Sequence, residues 1–186
     1  MRRLLVFNSV TIDGYFTDKN NDMSWAHRQA DEEWNNFVSE NAKSGGELLF
    51  GRVTYELMKS FWPTPAAAQQ FPEVAESMNN SPKLVFSKTL KEAGWNNTRI
   101  IKGDLAAEVR KLKEESGPGM VIMGSGSIVS QLAPEALIDE YQLVINPIVL
   151  GEGRTMFEGI KKMLMLKQTK TQTFGNGNVV VSYEPR

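Results

Sequence analysis

The sequence predicts an α/β domain with a largely parallel sheet and an antiparallel hairpin at its C-terminal end. Three observations carry this. Short apolar runs alternate with amphipathic stretches through the front two-thirds of the chain, the pattern of strand–helix–strand units. Several of those runs end in glycine or serine, where a strand turns towards a helix. Near the end, Asn176-Gly177 separates two strand-like runs, a strong hairpin signal.

The chain is 186 residues long, which fits one domain over 1–186. Its net charge of -1 leaves no electrostatic footprint for nucleic acid. It has no cysteine, which excludes disulfides, thiolate catalysis and cysteine-bound metal and fits a cytoplasmic protein. The one histidine, His27, excludes a multi-histidine metal centre, so no metal is expected. The N-terminal run MRRLLVFNSV is too short to cross a membrane.

Leu4 to Val10 is a nearly continuous apolar run broken by Asn8 and Ser9, as in a strand buried on both faces. Asp13-Gly14 marks a turn, and Thr17 to Ser24 is a polar loop leading to Trp25. Ala30 to Ala42 is amphipathic, with Trp34, Phe37 and Val38 at helical spacing. Leu48 to Phe50 is a second strand, followed at once by Gly51-Arg52 and a helix carrying Thr54, Tyr55, Leu57 and Met58. Phe61 to Pro72 holds three prolines and reads as an irregular surface connection, with a short helix over Glu73 to Asn79. Leu84 to Phe86 and Thr98 to Lys102 are strands, and Leu105 to Glu115 is a helix. Ile138 to Ile145 alternates like a strand with one face partly exposed, and Pro147 to Leu150 continues or bends it. That strand and the threonine-rich hairpin, Leu164 to Phe174 with Val179 to Tyr183, are the edges expected to invite a second subunit.

The stretch GMVIMGSGSIVSQL, Gly119 to Leu132, joins a five-residue strand to a helix through Gly124-Ser125-Gly126-Ser127. Such a turn lets backbone N–H groups meet an anion, and Ser125 and Ser127 add hydroxyls and helix-capping capacity. Taken alone, it is either a phosphate loop or a tight structural turn. In parallel sheets ligands bind beyond the carboxyl ends of the strands, and Ser9, Gly51, Ser87 and Gly124 all fall at such ends. Arg52 and Lys88 follow predicted strands beside the hydroxyls of Thr54, Ser87 and Thr89, a pairing that suits the extra phosphate of NADPH. Val129 stands where a GxGxxG fingerprint needs glycine, and no Walker lysine follows the loop. Trp25, Trp34 and Phe61 offer an aromatic wall for a flat substrate, although Trp34 suits the core better. Asp13 reads as a turn residue, Asp31 as an acidic helix start and His27 as a loop histidine.

SVTIDGYF (Ser9 to Phe16), LLFGRVTYELM (Leu48 to Met58), VFSKTL (Val85 to Leu90), VIMGSGSIVSQL (Val121 to Leu132) and DEYQLVINPIVLGEGRTMF (Asp139 to Phe157) occur in an order that resembles the RibD C-terminal, dihydrofolate-reductase-like family. The resemblance implies a three-layer fold, with helices on both faces of a mostly parallel central sheet, in an NADPH-dependent reductase. It places Gly51, Arg52 and Thr54 at the cofactor's phosphates, Ser87 and Lys88 at the 2′-phosphate, and Gly124, Ser125, Gly126 and Ser127 at the pyrophosphate. Ile12 and Gly14 fall near the nicotinamide. Family members reduce 5-amino-6-(5-phosphoribosylamino)uracil in riboflavin biosynthesis, and relatives reduce dihydrofolate, so the substrate class is a small flat heterocycle. Ser9, Trp25, Asp31 and Phe61 are the substrate-side candidates, with Asp31 or a water as proton donor. The dihydrofolate reductases carry Gly-Gly where this chain has Gly124-Ser125. A non-catalytic NADPH-binding protein and a flavin in the pocket are the alternatives. The resemblance also implies a homodimer.

Overall fold

The computed structural model describes residues 1–27 and 30–186. In chain order the elements are β1 (Leu4–Thr11), β2 (Tyr15–Thr17), a 3-10 turn (Ser24–His27), α1 (Glu32–Lys43), β3 (Glu47–Gly51), α2 (Arg52–Phe61), α3 (Pro65–Gln70) and α4 (Pro72–Asn80). Then follow β4 (Lys83–Phe86), β5 (Thr98–Ile101), α5 (Leu105–Glu114), β6 (Met120–Met123), α6 (Gly126–Leu132), β7 (Glu140–Asn146), β8 (Arg154–Thr155), β9 (Leu166–Thr173) and β10 (Val179–Pro185).

The main sheet has eight strands in the order β5-β4-β3-β6-β1-β7-β10-β9. The first six run parallel, and β10 pairs antiparallel with both β7 and β9. The continuous apolar runs are explained by burial on both faces. Leu49, Leu84, Ile122 and Val6 join a core with Val109 and Leu112 of α5 and Ile128, Val129 and Leu132 of α6. Their neighbours Leu48, Phe50 and Val85 face the other way, against Tyr55 of α2 and Val74 and Met78 of α4. A third cluster seats Trp34 of α1 on Val144, Val180 and Phe174, with Trp34 and Phe174 edge to face at 5.0 Å. The result is the three-layer α/β arrangement, with the antiparallel hairpin at its end.

Two expectations need correction. Phe61 to Pro72 is not an irregular connection. Thr64 caps α3 by accepting the Ala67 amide, and Pro65 and Pro72 each open a helix, where a missing N–H costs nothing. The strand expected from Ile138 is not an edge, because β7 lies between β1 and β10. Two of its polar residues are partnered: Asp139 accepts from Lys113 and the Leu4 amide, and Glu140 pairs with Arg3. The chain bends away at Pro147. A small β2–β8 ribbon, which the sequence did not suggest, sits beside the main sheet.

Candidate functional site

The parallel strands place their carboxyl ends along one edge, and a cleft of about 370 Å³ opens there. It is lined by Gly51, Arg52, Thr54, Ser87, Lys88, Ser125 and Ser127, gathered from the ends of β3, β4 and β6. These residues are up to 76 positions apart in sequence, and parallel pairing of β3 with β4 and β6 brings them together. Ile101, Leu105 and Ile128 form its apolar wall, and Asp104 and Gln131 complete it.

The turn after β6 is locked by side chains from three strands or their flanks. The Asn8 carboxamide, buried inside β1, accepts the Gly124 amide at 2.5 Å and donates to the Gly124 carbonyl at 3.0 Å. Thr54 Oγ1 accepts the Ser125 amide at 3.1 Å, and Ser125 Oγ accepts the Gly51 amide at 2.9 Å. Ser125 therefore sits at the start of α6 without capping it by its side chain, contrary to the expectation from sequence. Its backbone is left-handed at φ 55°, a conformation costing a non-glycine residue about 1–2 kcal/mol unless its surroundings hold it. Gly124 also has positive φ, and a Cβ there would meet Thr54 Cγ2 at 2.8 Å. The Ser125 carbonyl accepts the amides of Ile128 and Val129. The amides of Gly126 and Ser127 are left without a protein acceptor among the described residues.

The two cations differ. Arg52 Nη1 lies 2.8 Å from Glu56 Oε2, one turn along α2. Lys88 is exposed and makes no ion pair among the described residues. Ser87 shapes the turn beside it by accepting the amides of Thr89 and Leu90. Asp104 caps α5 through the Ala107 amide.

The other candidates lie outside this cleft. Ile12 and Gly14 sit on the turn from β1 to β2. Ser9 lies within β1 opposite Val144, on the sheet face that carries α1. Asp31 is the N-cap of α1, accepting the Trp34 amide at 2.8 Å. Phe61 packs edge to face on Trp62 and Phe71, and His27 lies 6.4 Å from Phe71. Trp25 is 4% exposed, and its indole N–H has no acceptor among the described residues. No group of three residues suited to metal binding occurs among the described residues, nor a helix long and apolar enough to cross a membrane. Sequence reasoning missed Asn8; the available signal was a lone amide inside an apolar strand.

The model of the RibD C-terminal domain matches residues 2–180. The chain belongs to the RibD C-terminal domain family. A relative within reach is the uncharacterized protein YyaP of Bacillus subtilis (strain 168), 30% identical over 182 residues and covering 98% of this chain and 94% of that protein. Among solved structures, the family's fold recurs in a Thermotoga maritima diaminohydroxyphosphoribosylaminopyrimidine deaminase/5-amino-6-(5-phosphoribosylamino)uracil reductase, at TM-score 0.69 and 16% identity. That match covers 100% of this chain and 57% of the other. It recurs again in an Enterococcus faecalis dihydrofolate reductase complexed with NADP(H), at TM-score 0.65 and 14% identity over 99% and 96% of the two chains. The RibD C-terminal fold of this chain is therefore dihydrofolate-reductase-like.

Proposed function

We propose that this chain is an NADPH-dependent reductase of a flat nitrogen heterocycle, with 5-amino-6-(5-phosphoribosylamino)uracil as the leading substrate and dihydrofolate as the alternative. The observation that carries the reading is the meeting of Arg52, Lys88, Ser87 and Ser127 in one cleft at the carboxyl edge of a parallel sheet. Cations and hydroxyls spaced along one cleft suit a dinucleotide with separated phosphates. The unpaired Lys88 with Ser87 fits the 2′-phosphate. Arg52, Thr54 and the turn Gly124 to Ser127, with its two free amides, fit the pyrophosphate. Ile12 and Gly14 fall on the nicotinamide side. Bound NADPH supplies the hydride; the chain binds, orients and excludes water. On the substrate side the buried Trp25 N–H supports a ligand acceptor, because an unmet buried donor costs about 1–3 kcal/mol.

The test is a titration with NADPH followed by thermal shift and tryptophan fluorescence, then turnover read from loss of reduced-nicotinamide absorbance with each heterocycle. The reading expects a higher melting temperature and oxidation with the pyrimidine. No shift and no fluorescence change at millimolar NADPH overturn it. A second reading, binding without turnover, is favoured by Asp31 serving as a helix cap; saturable NADPH binding with neither substrate consumed would support it.

We also infer a homodimer through β9. This strand ends the sheet and is exposed along most of its length. Antiparallel self-pairing with Thr169 opposite Lys170 sets Lys167 opposite Gln172 and keeps like charges from facing.

A further inference from the structure

Two motifs of the sequence, Asp13-Gly14 and Leu150-Gly151, find no use in the phosphate cleft. The structure joins them. Asp13 Oδ2 accepts the Gly151 amide at 2.7 Å and the Leu150 amide at 3.2 Å. Its other oxygen accepts the hydroxyl of Thr11, a buried residue, at 2.6 Å. That hydroxyl oxygen also accepts the Tyr15 amide at 3.0 Å, and the Ile12 amide donates to the Ile148 carbonyl at 3.0 Å. One exposed carboxylate thus clasps the turn after β1 to the loop after β7, 137 positions away. Beyond the clasp, Lys19 pairs with Glu152 at 2.6 Å, and β2 pairs with β8. Each clasped loop carries an exposed apolar side chain, Ile12 at 64% and Val149 at 69%.

We propose that Asp13 is a positioning residue: its clasp sets where the Ile12–Gly14 turn stands beside the reacting end of the cofactor. The proposal rests on the NADPH reading. Side-chain packing does little to hold the turn, since a Cβ on Gly14 would meet nothing within 4 Å and Ile12 is mostly in solvent; besides the clasp, the turn is held by its own Gly14-to-Thr11 hydrogen bond and the Ile12 amide on Ile148. Thr11 anchors the clasp in the sheet, so the turn's position is referred to β1, the strand beside the one that launches the phosphate turn. The same carboxylate holds the loop after β7 at Leu150 and Gly151, so turn and loop are tied together.

The test compares NADPH with adenosine 2′,5′-bisphosphate, which has the cleft's phosphates but no nicotinamide. In Asp13→Ala, NADPH affinity should fall about fivefold or more, the loss of about one hydrogen bond, while bisphosphate affinity stays within about twofold. In Asp13→Asn the amide oxygen still accepts from Gly151 and the amide nitrogen donates to Thr11, so NADPH affinity should return to within about twofold of wild type. Equal losses for both ligands, or no loss for either, overturn the positioning role and leave the cofactor reading standing. Wild-type protein that binds neither ligand overturns the cofactor reading and the role with it.

Discussion

Asn8 shapes the turn after β6 from inside the sheet. Its carboxamide occupies both polar groups at Gly124, the amide and the carbonyl, and neither has another partner among the described residues. Replacing it with alanine leaves a buried N–H and a buried C=O unmet. Asn8→Ala should cost about 2–4 kcal/mol in urea unfolding and should weaken NADPH binding, because the turn loses its inner support. Lys88 is the opposite kind of residue, exposed and replaceable without folding cost. Lys88→Ala should leave the melting temperature within about 1 °C of wild type. It should lower NADPH affinity about tenfold while leaving NADH affinity unchanged, since only NADPH carries the 2′-phosphate. Parallel isothermal titrations check this, and equal losses for the two dinucleotides would contradict the assignment. Of these two residues the sequence announces only Lys88. A cation after a strand is visible locally, whereas Asn8 acquires its role from a peptide 116 positions away.

At the scale of elements, α4 ends without a glycine, and Lys83 completes it from the first residue of β4. Its ammonium donates to the carbonyls of Asn79, Ser81 and Asn96 and lies 4.4 Å from the Trp95 ring centroid. Burial pushes its pKa down to about 8. Between that value and the ordinary 10.5 the unfolded chain holds more proton than the folded one, so this group's contribution to stability rises with pH across the window and is flat below it. The stability difference between wild type and Lys83→Met should follow that course in denaturant titrations from pH 7 to pH 10. At pH 7 the substitution should still destabilise, by about 1–3 kcal/mol, because three carbonyls each lose a donor, although those of Asn79 and Asn96 keep another, from Asn97 and Thr98. The elements legible in the sequence were those with a two-sided core: Leu48 and Leu49 go to opposite layers, which is why their run is unbroken. The β2–β8 ribbon, with strands of three and two residues, is too short to carry any period. The prolines misled because a helix start and a loop accept proline for the same reason, an N–H that nothing needs.

For the whole molecule, strand order is the quantity that local pattern does not contain. Asp139, Glu140 and Gln142 read as a solvent-facing side, yet two of them are engaged by Lys113 and Arg3 across element boundaries. With β7 interior, the threonine-rich β9 remains the hairpin's free side. Light scattering on a size-exclusion column should give twice the 20.8 kDa chain mass. A proline replacing Thr169 should return it to one, since proline disrupts pairing along that edge. The cleft was legible because the ends of parallel strands share one edge whatever their order. The clasp was not, because it depends on where two loops cross.

The contact of Phe16 with the turn after β6 sets how freely this protein can drift. A Cβ at position 126 would lie 2.8 Å from Cζ of the buried Phe16 ring, which arrives from the β2 ribbon. The neighbouring Ser127 faces solvent. In a saturation library selected for folded protein alone, position 126 should return glycine almost uniformly while position 127 accepts most residues. Two adjacent positions in one turn would then record different histories: one held by packing from outside the turn, the other answerable only to whatever binds there.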